Sequence, residues 1–413
     1  MSDRNPANLV TARTATAAAS GLGDLWSRAL LKRLLRIDQG RLTLLTPGET
    51  VLAFAGAAPG PAVSIAVHDA RVARRLVLGG TIGFAESYMD REWDCPDLVA
   101  LIRFAIANEH TLGIDDDGSI AMRLVSRLRH ALRANSRRGS QRNIAYHYDL
   151  GNDFYAAWLA PGMTYSAALF EADDEDLEAA QQRKYRRIAE LLELAPGHNV
   201  LEIGCGWGGF AELAAGSFGC RVTGLTLSRQ QCEFATERLG RQGLAGRVAI
   251  RLEDYRDATG CFDRIASIEM IEAVGEKHWP TYFDRLRRLL APQGIAVLQA
   301  ITIADARFES YRRCPDFIQH YIFPGGMLPS SAALRRVAAD AGLALIEGPR
   351  FGASYARTLA LWQLRFQAAW PRIAAMGFDG RFKRMWEYYL AYCEAGFRAG
   401  TLDVGLFRLA RRG

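Results

Sequence analysis

Apolar and polar positions follow two regimes along the chain. From about residue 143 onward, short apolar runs alternate with stretches whose apolar residues recur at helical spacing. Strand-like runs stand at 199–205, 221–227, 247–253, 262–270 and 294–303, with helical patterns such as 177–194, 230–239 and 282–290 among them. Runs of this kind, alternating with helices, predict a parallel sheet covered on both faces. Before residue 108 the pattern differs. A helical start at 25–31, strand-like runs such as 63–67, and a helical stretch at 97–107 are punctuated by Pro47-Gly48, Pro59-Gly60-Pro61 and Gly79-Gly80. That mixture predicts a small α+β module. The expected organisation is a leader at 1–23, an α+β domain at 24–107, a linker at 108–142 and an α/β domain at 143–413.

The linker carries a charge pattern of its own. Arg123, Arg127, Arg129, Arg133, Arg137, Arg138 and Arg142 follow one another without an intervening acid, and Ile120, Leu124, Val125, Leu128 and Leu132 fall near helical spacing among them. A basic amphipathic helix is expected. It reads either as a solvated surface helix packing its apolar stripe on a domain, or as a membrane-surface element that meets anionic headgroups. The whole chain of 413 residues is 49% hydrophobic and 23% charged, which excludes a disordered or fibrous protein. Its 51 Lys+Arg against 45 Asp+Glu leave a net charge of +6, which suits an anionic surface without requiring nucleic acid. The seven cysteines are odd in number and never form C-x-x-C, against a disulfide framework or a Cys-rich zinc site. No run reaches the ~18 apolar residues of a membrane span, and the first residues lack the apolar block of a signal peptide. A cytoplasmic protein touching the inner membrane surface peripherally is expected.

The most informative segment is Val200-Leu201-Glu202-Ile203-Gly204-Cys205-Gly206-Trp207-Gly208-Gly209-Phe210, a strand running through glycines into a helix. Gly204, Gly206 and Gly209 satisfy G-x-G-x-x-G, yet a dinucleotide site needs an acid about 20 residues on for the ribose. No Asp or Glu stands between Glu212 and Glu233. The alternative spacing E-x-G-x-G-x-G, through Glu202, Gly204, Gly206 and Gly208, resembles motif I of Rossmann-like S-adenosylmethionine-dependent methyltransferases. There glycines let the backbone approach the cofactor, and the helix N-terminus favours its carboxylate. Glu253 and Asp254, after the third strand, are placed to receive an adenine amino group.

Further motifs accompany the loop in order: 145–155 (Ala-Tyr-His-Tyr-Asp-Leu-Gly-Asn-Asp-Phe-Tyr), Met163-Thr164-Tyr165-Ser166, Leu225-Thr226-Leu227-Ser228 with Gln231, and Asp254-Tyr255-Arg256-Asp257. Then come Met270-Ile271-Glu272-Ala273-Val274-Gly275, 321–326 (Tyr-Ile-Phe-Pro-Gly-Gly), Leu328-Pro329-Ser330 and 389–397. Together they resemble the cyclopropane-fatty-acyl-phospholipid synthase family, of the mycolic acid cyclopropane synthase type, strongly over 143–413 and loosely over 50–107. The resemblance implies a Rossmann-like class I methyltransferase, an α/β fold with a mostly parallel seven-stranded sheet, beside a small lipid-binding-like α+β domain. It implies an enzyme that adds the methyl carbon of S-adenosylmethionine to the double bond of an unsaturated phospholipid acyl chain, closing a cyclopropane. It places the cofactor on Tyr165, Ser166, Glu202, Gly204, Gly206, Gly208, Thr226, Leu227, Gln231, Leu252 and Glu253, with the Gln231 amide standing in for the missing ribose acid. A bicarbonate ion is the family's base, with Glu272, Tyr355 and Ile301 matching its ligands. Cys393 matches the family's active-site cysteine, though no local base stands near it, and an acyl-channel or structural role is favoured over a nucleophile. No metal is implied, nucleic acid is not a partner, and a homodimer is compatible with the pattern.

Three positions depart from the family pattern. Ala167 stands where cysteine is frequent, Ala273 where histidine is frequent, and Gln299 where a bicarbonate-contacting histidine is expected. A backbone N–H at 167 would make the first loss small. Glutamine donates a hydrogen bond through its amide but cannot relay a proton as imidazole does. Either bicarbonate binds and a ring closes, or the product is a methyl-branched or methyl-alkene chain. A small-molecule N-methyltransferase and a non-catalytic lipid-binding protein are the remaining alternatives. His147 reads as a structural histidine, and 83–93 as a glycine-flanked aromatic loop before a helix.

Overall fold

The computed structural model describes residues 25–113 and 150–412. The leader, most of the arginine-rich linker and the 145–149 part of the tyrosine-rich motif, with His147, lie outside them. Two compact units divide the chain: Met1–Arg129 with Arg313–Phe317 and Phe378–Ala399, and His130–Arg312 with Ile318–Gly377 and Gly400–Gly413. They are interleaved in sequence rather than consecutive, because the segment 378–399 joins the N-terminal region's unit.

The first unit is built on a four-stranded sheet of β1 (Gln39–Leu45), β2 (Val51–Ala55), β3 (Ala58–Val67) and β4 (Trp93–Asp94), in the order β2-β1-β3-β4. Helices Arg71–Met89, Leu98–Ala107 and Gly380–Arg398 accompany it. The segment 83–93 is not a loop. Its first seven residues complete the helix Arg71–Met89, which absorbs Gly80 in a kink at φ 57°. Its end turns so that Trp93 is fully buried, stacked 4.3 Å from Phe84 and donating from Nε1 to Ser87 Oγ at 2.9 Å. Glycines that suggest a loop here permit a kink and close packing instead: a Cβ at Gly83 would lie 2.3 Å from the Arg75 carbonyl oxygen. Arg384, on the last of these helices, donates to the carbonyls of Tyr88 (2.5 Å) and Trp93 (2.7 Å) and pairs with Asp94. This ties the C-terminal segment to the N-terminal module by main-chain acceptors as well as charge.

The second unit holds a seven-stranded sheet: β5 (Asn199–Ile203), β6 (Arg221–Thr226), β7 (Val248–Leu252), β8 (Phe262–Ile268), β9 (Leu290–Ile303), β10 (Leu343–Arg350) and β11 (Leu402–Arg411). Their order is β10-β11-β9-β8-β5-β6-β7. The pairs β5–β6, β6–β7, β5–β8 and β8–β9 are parallel, and β11 runs antiparallel to both β9 and β10. This is the expected mostly parallel α/β sheet. Val200, Leu201, Ile203, Ile265, Ala266, Val297 and Leu298 are all buried, as strands covered on both faces require. From β5 the chain proceeds outward through β6 and β7, then returns to the opposite side of β5 as β8. The crevice between the carboxyl ends of β5 and β8 is therefore the topological switch point, where open α/β sheets bind ligands.

Candidate active site

At the end of β5 the glycine loop turns through three left-handed residues, Gly204 (φ 81°), Gly206 (φ 53°) and Gly208 (φ 86°), into the helix Gly209–Gly216. Two of these glycines are required by contact as well as by φ. A Cβ on Gly204 would stand 2.9 Å from Met270 Cγ, and one on Gly208 3.2 Å from the Ala235 side chain. Before Gly206 there is open space, so its backbone is presented bare on that side. Trp207 is anchored by its Nε1 donating to Asn152 Oδ1 at 2.8 Å. After β6, the Thr226 hydroxyl donates to Gln231 Oε1 at 2.9 Å and accepts from the Ser228 N–H. This fixes the oxygen end of the Gln231 amide and turns its NH2 end away. Glu253 follows β7, its N–H bound to the Thr226 carbonyl at 3.1 Å, beside an exposed Leu252. Asp254 instead holds Arg256 through both carboxylate oxygens, leaving Glu253 as the acid suited to an adenine. A left-handed glycine cradle, an oriented amide and an acid next to an exposed apolar side chain fit an adenosyl amino acid.

Tyr165 stands among Tyr155 (5.3 Å between ring centroids), Trp158 (5.7 Å) and Trp362 (5.2 Å). Trp207 adjoins Tyr155, and Tyr355 adjoins Trp362, so aromatic faces run from the glycine loop to the second half of the site. Such faces favour a sulfonium or a carbocation.

That second half is centred on a residue the sequence motifs did not single out. Glu269 follows β8 directly, with the left-handed φ of 49° that is uncommon outside glycine, and its N–H donates to the Gln299 carbonyl. Its carboxylate collects three donors. Tyr355 donates its hydroxyl to Oε2 at 2.6 Å, and Gln299 Nε2 and the Ala167 N–H reach Oε1 at 2.6 and 2.8 Å. Burial raises the Glu269 pKa, opposed by these bonds and by the Lys184 charge. Lys184 is itself fully buried, donating to Ser166 Oγ at 2.7 Å, and burial pulls its pKa down to about 7 against the attraction of Glu269 and Glu202. Glu202, on β5, is pushed up to about 8 by burial, opposed by Lys184. Glu272 is likewise pushed up to about 8, by burial and by the neighbouring charge of Glu269; its Oε1 accepts from the Ile301 N–H at 2.5 Å. The Phe323-Pro324-Gly325-Gly326 turn packs on the same segment, with the Met327 N–H bound to the Glu272 carbonyl at 2.7 Å.

Of the expected catalytic set, Glu272, Gln299 and Tyr355 therefore belong to one neighbourhood in the second unit. Cys393 lies in the first unit, on the helix Gly380–Arg398, where burial and the Asp316 charge raise its thiol well above the usual range and disfavour the thiolate. Glu269 and Lys184 are the functional candidates that sequence reading missed. The available signals were an acid immediately after a buried strand and a lysine at a core-facing helical position. Bicarbonate does not fit the residues present. Tyr355, Gln299 and the N–H of residue 167 all point at Glu269. The Ile301 N–H is likewise taken, by Glu272 Oε1, so the donors expected to hold bicarbonate are already engaged by carboxylates of the chain. Among the described residues no group of three His, Cys, Asp or Glu side chains is arranged to hold a metal.

Comparison with known proteins places this geometry. The family described as mycolic acid cyclopropane synthetase matches residues 135–407. Tuberculostearic acid methyltransferase UfaA1 of Mycobacterium tuberculosis is 40% identical over 100% of this chain and 96% of its own length. Cyclopropane-fatty-acyl-phospholipid synthase of Escherichia coli is 39% identical over 86% of this chain and 88% of its own. The crystal structure of mycolic acid cyclopropane synthase CmaA1 complexed with SAH and CTAB superposes with a TM-score of 0.61 at 32% identity, over 65% of this chain and 97% of that one.

Proposed function

The chain belongs to the mycolic acid cyclopropane synthetase family and is an S-adenosylmethionine-dependent methyltransferase, and on that premise we propose that its substrate is the double bond of an unsaturated acyl chain carried by a membrane phospholipid. S-adenosylmethionine supplies an electrophilic methyl group. The protein's part is to seat it on the glycine cradle, Gln231 and Glu253, and to direct it toward the crevice between β5 and β8. Aromatic walls there exclude water and tolerate positive charge. The observation that carries the reading is the close approach of two halves of one site: Met270, next to Glu269, packs where Gly204 lacks a side chain. This brings the cofactor loop against the segment bearing the buried carboxylates, as a reaction that moves a methyl cation and then a proton requires.

The first product reading is a cyclopropane. A second, methyl transfer without ring closure, is favoured by the commitment of Gln299 to Glu269 rather than to an added ion. Incubation of the protein with unsaturated phospholipid vesicles and a trideuteromethyl donor separates the two. Ring closure is expected to leave two deuterons in a chain that has lost its double bond. Three retained deuterons, or two in a chain still unsaturated, establish the second reading, and unlabelled lipid overturns both.

A further inference from the structure

We propose that the Glu269 carboxylate is the base of this enzyme, built into the chain where relatives would need a diffusible anion; the inference rests on the acyl-chain reading above. Three observations converge on it. First, donors from three distant segments meet on this one side chain: the Ala167 N–H, the Gln299 amide and the Tyr355 hydroxyl, at 2.6–2.8 Å. A carboxylate held by three donors keeps a defined direction and lone pairs in addition to those engaged. Second, Glu269 stands directly after β8, at the carboxyl edge of the parallel sheet where open α/β sheets bind ligands, and its N–H is tied to the Gln299 carbonyl. Third, Glu272 Oε1 takes the Ile301 N–H, so the donors that an added anion would need, at residues 167, 299, 301 and 355, are engaged by carboxylates of the chain itself.

The step balances without an external reagent. The π pair of the alkene forms a bond to the methyl carbon, while the carbon–sulfur bond breaks and its pair remains on sulfur as a neutral thioether. The acyl chain is left with one positive charge. Glu269 takes one proton from a C–H bond of that chain, and the C–H pair closes the ring or forms a new double bond. The chain becomes neutral and Glu269 becomes a carboxylic acid. Tyr355, Gln299 and the Ala167 N–H are then positioning groups that aim the carboxylate. Its upward-shifted pKa makes it a stronger proton acceptor than an exposed glutamate once ionised.

The test measures label transfer from S-adenosylmethionine to dioleoyl phosphatidylglycerol vesicles, in buffer freed of carbon dioxide and in buffer with added bicarbonate, using the full chain. Wild type is expected to turn over equally in both. Glu269→Gln is expected to lose about 10²–10⁴-fold in rate while calorimetry shows unchanged S-adenosylmethionine binding, which also reports that the variant is folded. Glu269→Gly suits the left-handed backbone and opens the site. It is expected to be inactive alone and to regain activity with added bicarbonate or formate. Wild-type activity that collapses without bicarbonate, a Glu269→Gln enzyme near wild-type rate, or a Glu269→Gly enzyme no anion restores would each overturn the role of Glu269 alone. A wild-type chain that binds S-adenosylmethionine yet leaves the vesicles unlabelled overturns the acyl-chain reading itself.

Discussion

At the scale of single residues, the site's chemistry depends on buried charge. Glu202 and Glu272, both held near pKa 8 rather than the ordinary glutamate value near 4.5, remain protonated in the folded chain at pH values where the unfolded chain has released those protons. Folding then takes up protons, and stability falls as pH rises from about 4.5 toward 8. Lys184 acts in the opposite sense only above about 7, where the folded lysine is neutral and the unfolded one still charged. Between about pH 5 and 7 the two glutamates lower stability as pH rises, and Glu269, also raised by burial, acts in the same direction. Thermal unfolding of wild type is expected to shift to lower temperature across that window. Glu202→Gln and Glu272→Gln are each expected to flatten the shift, and an unchanged slope in either would contradict the assignment. Of Glu202, Glu272 and Lys184, only Lys184 escapes a sequence reading. Lys184 sits among the polar residues Gln181-Gln182-Arg183-Lys184-Tyr185-Arg186-Arg187, yet it is completely buried.

At the scale of elements, the glycine turn separates two requirements. Gly204 faces Met270, while Gly206 faces open space, although both are left-handed. Gly206→Ala is expected to cost the ~1–2 kcal/mol of a left-handed alanine and to weaken S-adenosylmethionine binding about tenfold, as its methyl group meets the bound cofactor. Gly204→Ala carries the same backbone cost and also displaces Met270, moving the turn that orients Glu269. It is expected to melt lower than Gly206→Ala and to lose turnover beyond its loss of binding. Calorimetry and label transfer on the two variants check this ordering. A Gly204→Ala variant as stable as Gly206→Ala would show that the Met270 contact is dispensable. The five parallel strands were legible because each is a short run rich in apolar and β-branched residues, set between helical patterns. β10 and β11 were not, since β10 exposes Ile346 and contains Pro349, and β11 pairs with β9 across the register Leu402↔Ile303. No local pattern announces a pairing between segments so far apart.

At the scale of the whole molecule, charge and unit boundaries matter. The arginine-rich segment 123–142, outside the described residues, concentrates base that the net charge of +6 averages over the chain. If it docks on a membrane, replacing Arg127, Arg129 and Arg133 together with Gln is expected to weaken sedimentation with anionic vesicles on the order of a hundredfold, about 1 kcal/mol per arginine. S-adenosylmethionine binding is expected to stay unchanged, and the difference to shrink at high salt. Equal sedimentation of both proteins would assign the segment to a solvated surface. Local features were readable without coordinates: the strand runs, the glycine turn, and Thr226 with Gln231, whose partners lie within a few positions of one another. Which carboxylate gathers the donors was not, because Ala167 and Tyr355 lie 102 and 86 positions from Glu269. Nor was the union of helix Gly380–Arg398 with the N-terminal module, which rests on bonds such as Arg384 to Tyr88 across 296 positions. Sequence encodes conformation over a turn or a strand, whereas the proton affinity and direction of a buried group are set by the residues that folding brings around it.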